Sequence, residues 1–514
     1  MTEQHKHSPS GIYAFAECDV VDVQESVLLL DRHSDAQLLV TRPLAESMQN
    51  LGAFRSLESH ADWLTSNYQE LAGQHADVMN VLGTLGERGL LVSAESACAK
   101  LNREPGEPVD LPATRVFLLT CDRPEAVSRL LESMLRAGGL SRHETLFLID
   151  DSRDSANAAA NLECVERFNL SSPRNLQYFG AKEAHDFMTS LIGQLPEHEA
   201  AIRFLVDRDR WRDKKTHGLA RNLALLLSVG RRAIILDDDV LCTAIDSPVK
   251  EAGLQFGQNS KAIDFYESDA DMMSRNVDAG FDPLTGHSSC LGLNLGQAIR
   301  RLKGGELHPG DLVGANSRYV SVWDNESRVL VTQNGTLGDP GTPGNQWLFF
   351  MDDKSQKRLE AFPGGIEGAL STRRYWLGQP RPMFTKMSVM SQVTGLDNTA
   401  LLPPYFPVFR GEDYTFGAMT EYLHPSSAVL EYDWCVPHLP TEARHGSPAP
   451  EPESGRGMFN INKVITDKAL YLEGIPAETR LKTLASHAAE LAGASDRGLI
   501  SMYRKEVAEN QQLE

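Results

Sequence analysis

Between residues 115 and 236, short apolar runs alternate with amphipathic stretches, and this alternation leaves few folds open. Residues 115–120 (RVFLLT), 145–150 (TLFLID), 201–206 (AIRFLV) and 232–236 (RAIIL) read as strands. Between them, residues 124–137, 155–168 and 216–229 read as helices. The first carries Val127, Leu130, Leu131, Met134 and Leu135 on one side. Strands apolar on both faces need cover on both faces, which is the α/β arrangement of a mostly parallel sheet between helices. In such sheets ligands bind beyond the carboxyl ends of the strands. Polar clusters stand at those ends: Thr120-Cys121-Asp122-Arg123, Asp150-Asp151-Ser152-Arg153 and Asp237-Asp238-Asp239.

The chain has 514 residues, more than one ordinary domain needs. Its net charge of -20 repels phosphate backbones and argues against general nucleic-acid binding. The 7 cysteines are scattered, with no Cys-x-x-Cys pair, which argues against a zinc site and a disulfide framework. No apolar run approaches the roughly 20 residues that span a bilayer, and the first residues lack a signal-peptide core. A cytoplasmic protein with no membrane span is expected.

Residues 1–105 read as a small accessory unit. Residues 26–31 (SVLLLD) and 37–41 (QLLVT) flank a polar turn, the pattern of a hairpin. Val78, Met79, Leu82 and Leu85 then recur at helical spacing before Glu87-Arg88-Gly89 breaks the helix. This hairpin followed by helices resembles the winged-helix peptide-binding domain of pyrroloquinoline quinone biosynthesis. That resemblance implies capture of a peptide by strand addition to a sheet edge. Residues 100–112 (KLNREPGEPVDLP) read as a linker. Residues 112–440 form the main domain, 441–456 a proline-rich linker and 457–514 a helical extension. Between residues 241 and 346 no period is clear.

The aspartate triplet has the strongest chemistry. Three adjacent carboxylates after a buried strand repel one another unless a cation sits among them. Hard divalent cations take oxygen ligands, and magnesium bridges carboxylates to substrate phosphates. Asp237 and Asp239 alternate along an extended segment and point the same way. One helix earlier, the stretch from His217-Gly218 to Arg221-Asn222 suits an anion at a helix start. Glu412-Asp413, about 170 residues beyond the triplet, is a second acidic pair. It is a base candidate, or simply two carboxylates favoured by a helix N-terminus. His438, in WCVPHLP, is an isolated late histidine. Trp347, Tyr375, Trp376 and Tyr405 are aromatic candidates for stacking on a sugar, although such residues more often build a core.

Taken together, these segments resemble a GT-A glycosyltransferase, family 2-like and inverting, over residues 114–440. The segments are VFLLTCDRPEAVSRLLESML, LFLIDDSRD, HGLARNLALLLSVGRRAIILDDDV and VFRGEDYTFG. The resemblance implies that Thr120, Asp122, Arg123 and Asp150 or Asp151 hold the base and ribose of a nucleotide-sugar donor. It places Asp237 and Asp239 on manganese or magnesium and the sugar diphosphate. Asp238 and Arg221 join the donor site, and His438 is an extra metal ligand. Asp413, with Glu412 as alternate, is the base that deprotonates an acceptor, a peptide or a glycan. A UDP-sugar is expected by family frequency alone. A nucleotidyltransferase shares the sheet and the aspartates, but it needs a glycine-rich basic loop where this chain has Cys121-Asp122-Arg123-Pro124. A non-catalytic peptide-recruiting scaffold would have no use for both acidic clusters.

Overall fold

The computed structural model describes residues 11–104, 110–257, 261–341, 345, 347–348, 351–389, 392–408, 410–442, 444 and 474–513. Six strands lie in the first hundred residues: β1 (Ile12–Phe15), β2 (Cys18–Val23), β3 (Ser26–Asp31), β4 (Gln37–Thr41), β5 (Arg55–Ser56) and β6 (Leu91–Ser93). The expected hairpin is present, with Val27 opposite Val40 and Leu29 opposite Leu38 across β3 and β4. Strand β2 completes that sheet at its edge, and β5-β1-β6 forms a second. The helix His75–Glu87 buries Val78, Leu82 and Leu85. It stops where Gly89 turns through φ 79, a conformation a Cβ disfavours.

This unit has a core of its own, in which Val27, Leu29, Met48, Leu82 and Leu90 pack together, and its last helix also joins the main domain. Ala94, Ala97, Cys98 and Leu101 of the helix Ala94–Leu101 pack into one apolar cluster with Val116, Leu118 and Leu130 of the main domain. Backbone bonds cross as well: Phe54 N–H donates to the carbonyl of Ala315, and Ser317 N–H to that of Gly52.

Twelve strands form the main sheet. They are β7 (Thr114–Thr120), β8 (Thr145–Asp150), β9 (Leu176–Phe179), β10 (Arg232–Asp237), β11 (Ile245–Asp246), β12 (Gln255–Phe256), β13 (Ala262–Phe265), β14 (Val329–Gly338), β15 (Tyr375–Gly378), β16 (Met383–Thr385), β17 (Val393–Asp397) and β18 (Ala428–His438). The order along the main path is β12-β16-β18-β14-β17-β10-β7-β8-β9. Strands β9, β8, β7 and β10 are mutually parallel, and β17 runs antiparallel between β10 and β14. The architecture is mixed α/β, as the alternation of apolar runs implies. Leu118, Leu148 and Ile234 are fully buried, each such side chain contributing roughly 1.5–3 kcal/mol of transfer free energy.

One expected strand is a helix. Residues 201–206 lie in the helix Glu199–Val206, and the third parallel strand is β9, further upstream. Ile202 and Val206 are buried one helical turn apart, and Arg203 pairs with Glu199 and Asp207 at i±4 spacing. A run of six apolar-rich residues fits either element, and here those helical pairs match its charge pattern. The helices Ala477–Ala492 and Asp496–Leu513 match the expected extension. Most of residues 441–473 lies outside the described residues. Among the described residues no helix is long and apolar enough to cross a membrane.

Candidate functional site

The register brings the polar clusters to one edge. Thr120 pairs with Asp150 across β7 and β8, and Leu119 pairs with Asp237 across β7 and β10. From β7 the chain winds outward through β8 and β9, then returns to the other side of β7 as β10. The carboxyl ends of β7 and β10 therefore flank a topological switch point, where an open α/β sheet leaves a crevice. Two side chains bridge it. Thr120 Oγ1 donates to Asp238 Oδ2 at 2.7 Å. Arg123 Nη1 donates to Asp238 Oδ1 at 3.1 Å and to Asp239 Oδ2 at 3.3 Å.

Each aspartate of the triplet has its own environment. Asp237 accepts from Arg221 Nη2 at 3.3 Å. Burial raises its carboxyl above the usual range, Arg221 opposes that, and Asp239 adds to it. Asp238 is buried and pushed up to about 6, chiefly by desolvation and then by Asp239. Asp239 is equally buried, yet its carboxyl is held at about 2 because His438, Arg123 and Arg444 outweigh the desolvation. Asp239 Oδ1 lies 3.1 Å from His438 Nε2. The other ring nitrogen, Nδ1, is 2.5 Å from the backbone carbonyl of Asp339. Burial disfavours the imidazolium of His438, but Asp239 raises its proton affinity above the usual value.

The loops after β7 and β8 divide their carboxylates between scaffold and cleft. Asp122 sits at φ 56 and accepts the backbone N–H groups of Arg153 and Asp154. Those bonds outweigh a slight desolvation and lower its carboxyl. It is thus committed to joining the two loops. Asp150 is also committed, accepting from Ser152 N–H, Asn161 and the Tyr178 hydroxyl. Asp151 differs. Its Oδ2 accepts from Thr216 and Arg153, while its buried Oδ1 has no hydrogen bond among the described residues and lies 3.6 Å from Arg208 Nε. Of the expected base- and ribose-binding residues, Thr120, Arg123 and Asp151 keep polar groups at the crevice.

The helix Leu219–Leu227 positions Arg221. Gly218 precedes it because a Cβ there would stand 2.0 Å from the carbonyl oxygen of Phe406. Asn222 locks the same junction, accepting from Tyr405 N–H and donating to its carbonyl at 2.8 and 2.9 Å. Arg221 then reaches the helix Glu412–Leu423, whose first turn carries Glu412 and Asp413. Asp413 lines a cavity of about 10 Å³ together with Arg221, Asp237, Gln333, Ser388 and Gln392. That space holds about one water molecule. Glu412 is buried, and its carboxyl is raised by desolvation against the pull of Arg221. The two distant acidic clusters therefore meet across Arg221. Three of the aromatic candidates are buried: Trp376 and Tyr375 are core residues, and Tyr405 stacks on Phe416 at 4.1 Å; Trp347 is half-buried against Tyr375.

Three residues of the site were not anticipated. Asp339 follows β14, Arg373 pairs with it in bidentate fashion at 2.6 and 2.9 Å, and Arg444 bridges Asp339 and Asp239 at 3.3 and 3.4 Å. Asp339 has a weak sequence signal, an acid just after an apolar run. Arg444 has none, since it lies in the stretch that reads as a linker. Among the described residues no group of three or more His, Cys, Asp or Glu converges on one point as metal ligands. The nearest approach to one is the pair Asp239–His438, because Asp237 turns to Arg221.

No family model matches the chain, and no curated protein matches it. Among solved structures, a chain of the E. coli microcin synthetase McbBCD complex is similar at 12% identity, covering 33% of this chain and 59% of that one, with a TM-score of 0.12. The same complex with pro-MccB17 bound gives 10% identity, 33% and 56% coverage, and a TM-score of 0.09. This chain thus spans somewhat over half the length of those chains, and scores so low carry no argument about fold or function.

Proposed function

We propose that this protein is a GT-A-type glycosyltransferase that moves a sugar from a nucleotide-diphosphate donor, a UDP-sugar by family frequency, to a hydroxyl of a peptide or glycan. One observation carries the reading. At the switch point of the sheet, Thr120 and Arg123 at and beyond the end of β7 meet Asp238 and Asp239 just beyond β10, and Asp413 comes to the same edge through Arg221. This is where an open α/β sheet takes a nucleotide.

The geometry supports a role for each of these residues. Thr120, Arg123 and Asp151 would contact the nucleoside. Asp239 and His438 would hold manganese or magnesium. A two-donor pair suits such an ion, which is commonly bound through one or two protein ligands plus substrate phosphates. The Nδ1 contact to the Asp339 carbonyl fixes the ring and leaves Nε2 directed at the site. When bound, the ion would offset charge growing on the leaving diphosphate. Arg221 and Arg123 add fixed positive charge beside it.

In the transfer itself, the acceptor oxygen forms a bond to the anomeric carbon. The bond from that carbon to the diphosphate oxygen breaks, and the diphosphate leaves with its electron pair. The acceptor proton passes to the carboxylate of Asp413, with Glu412 as alternate. Attack opposite the leaving group inverts the anomeric centre.

The test is calorimetry with UDP, with and without manganese, followed by a screen of nucleotide sugars for hydrolysis. Manganese-dependent UDP binding supports the reading. Binding of a nucleoside triphosphate alone would favour a nucleotidyltransferase, and no nucleotide binding at all would remove the transferase.

A further inference from the structure

A second cavity lies away from the switch point, between the N-terminal unit and the main domain. It is a cleft of about 550 Å³, a size that suits a small organic ligand. Phe15, Leu29 and Val322 give it apolar wall, and Lys386 lines it from the position directly after β16. Lys386 is 8% exposed. Among the described residues its ammonium has no hydrogen bond and no ion pair.

The charges around Lys386 do not satisfy it. Glu421 and Glu17 attract the ammonium and Arg318 repels it, but none is in contact. Glu17 is already engaged by Arg32 at 2.7 Å, with Arg318 at 3.8 Å and His33 at 3.6 Å. Glu421 is half-buried at the far end of the helix Glu412–Leu423. Burial pushes the Lys386 ammonium down to about 8 against that attraction. A lysine held this way is costly unless something completes it.

We propose that the cleft is a binding site for an organic carboxylate, whose anion pairs with Lys386 while its hydrocarbon part lies on Phe15, Leu29 and Val322. Lys386 shares the cleft with Arg32, Arg318, Arg480, Glu17 and Glu421, and inorganic phosphate as a control separates a monocarboxylate from a dianion. The site adjoins the candidate catalytic edge. The helix Glu412–Leu423 runs from Asp413 to Glu421, about 12 Å at 1.5 Å per residue. Ser388, two residues after Lys386, lines the cavity of Asp413. The assignment does not rest on the transferase reading, since it concerns binding without nucleotide.

The carboxylate has two sources, a free organic acid or an acidic residue of a peptide. The test uses the full chain with three probes: hexanoate, the peptide acetyl-Leu-Glu-Leu-amide, and inorganic phosphate as control. Binding is read by calorimetry, and protection of Lys386 from acetylation is read by peptide mass mapping. At least one carboxylate probe should bind and shield Lys386, and Lys386→Met should weaken that binding roughly ten-fold or more. Hexanoate binding more tightly than the peptide names the free acid, and the reverse names the peptide; either supports the site. Failure of both carboxylates to bind, equal binding by Lys386→Met, or protection by phosphate alone would overturn it. Lys386→Met should keep or raise the unfolding midpoint. If it does not fold, protection of Lys386 in the natural chain still decides.

Discussion

Arg221 and Asp237 face each other at 3.3 Å, one from the helix before β10 and one from its last residue. The same arginine is electrostatically coupled to Glu412 and Asp413, far along the chain. It is buried, and its positive charge is what allows two carboxyl-bearing segments to share one edge of the sheet.

Asp239 is the aspartate most completely surrounded by cationic or ionisable nitrogen groups. Replacing it with alanine removes the partner of His438, Arg123 and Arg444 together. Asp239→Ala should weaken manganese-dependent UDP binding by about 100-fold. Calorimetry with and without manganese checks this, and unchanged binding would remove Asp239 and His438 as metal ligands.

Asp413 should matter to the chemical step and little to donor affinity. Asp413→Asn keeps the shape of the helix start and removes the proposed base. Turnover should fall on the order of 10²–10⁴-fold while the UDP dissociation constant stays within about two-fold. Retained turnover with Glu412 intact would shift the role to Glu412, which the double variant would then reveal.

Gly218 is required for space rather than for an unusual dihedral angle. A Cβ would sit 2.0 Å from Phe406 O and 2.8 Å from its carbonyl carbon. Backbone atoms cannot yield as a flexible side chain can. Gly218→Ala should therefore lower stability by about 1–3 kcal/mol in urea unfolding. It should also weaken UDP binding, because it displaces the helix that carries Arg221. A variant as stable as the natural chain would contradict this contact.

Two buried histidines predict the acid limit of the fold. His287 is fully buried between Thr332 and Asn334, and His143 is buried against Thr114. Desolvation lowers both to about 4. Each stays neutral when folded and gains a proton near 6.5 when unfolded. Their contribution is therefore full above about pH 6.5 and is lost as pH falls toward 4, each on the order of 3 kcal/mol. Thermal midpoints should drop across that window, and His287→Gln should shallow the drop. A flat profile from pH 7 to 4.5 would be inconsistent with two neutral buried rings.

The legible part of the fold was the part built from apolar runs. Strands β7, β8 and β10 are buried on both faces, so their residues carry an unbroken hydrophobic signal. Strands β14 and β18 are just as buried, yet Thr332, Gln333, Asn334, Glu431 and Asp433 interrupt them. Long-range partners satisfy some of those polar groups: His287 bonds Thr332 and Asn334, and Lys261 pairs with Glu431. No local period can report a partner so far along the chain.

The candidate site divides in the same way. An acid triplet after an apolar strand marks an edge where charge must be compensated, and sequence alone located it. It also found Arg221 and the Glu412-Asp413 pair. Which groups compensate the charge was decided in three dimensions. Asp122 is bound to the next loop, Asp151 lies between Arg153 and Arg208, and Arg444 reaches back to Asp239. Sequence determined the central strands and the acids at their ends, because burial and alternation are local properties. Only the tertiary structure decided which acids pair with which bases and where Lys386 is left without one. Ion pairing depends on distances of a few ångströms, and strand order rather than chain order sets those distances.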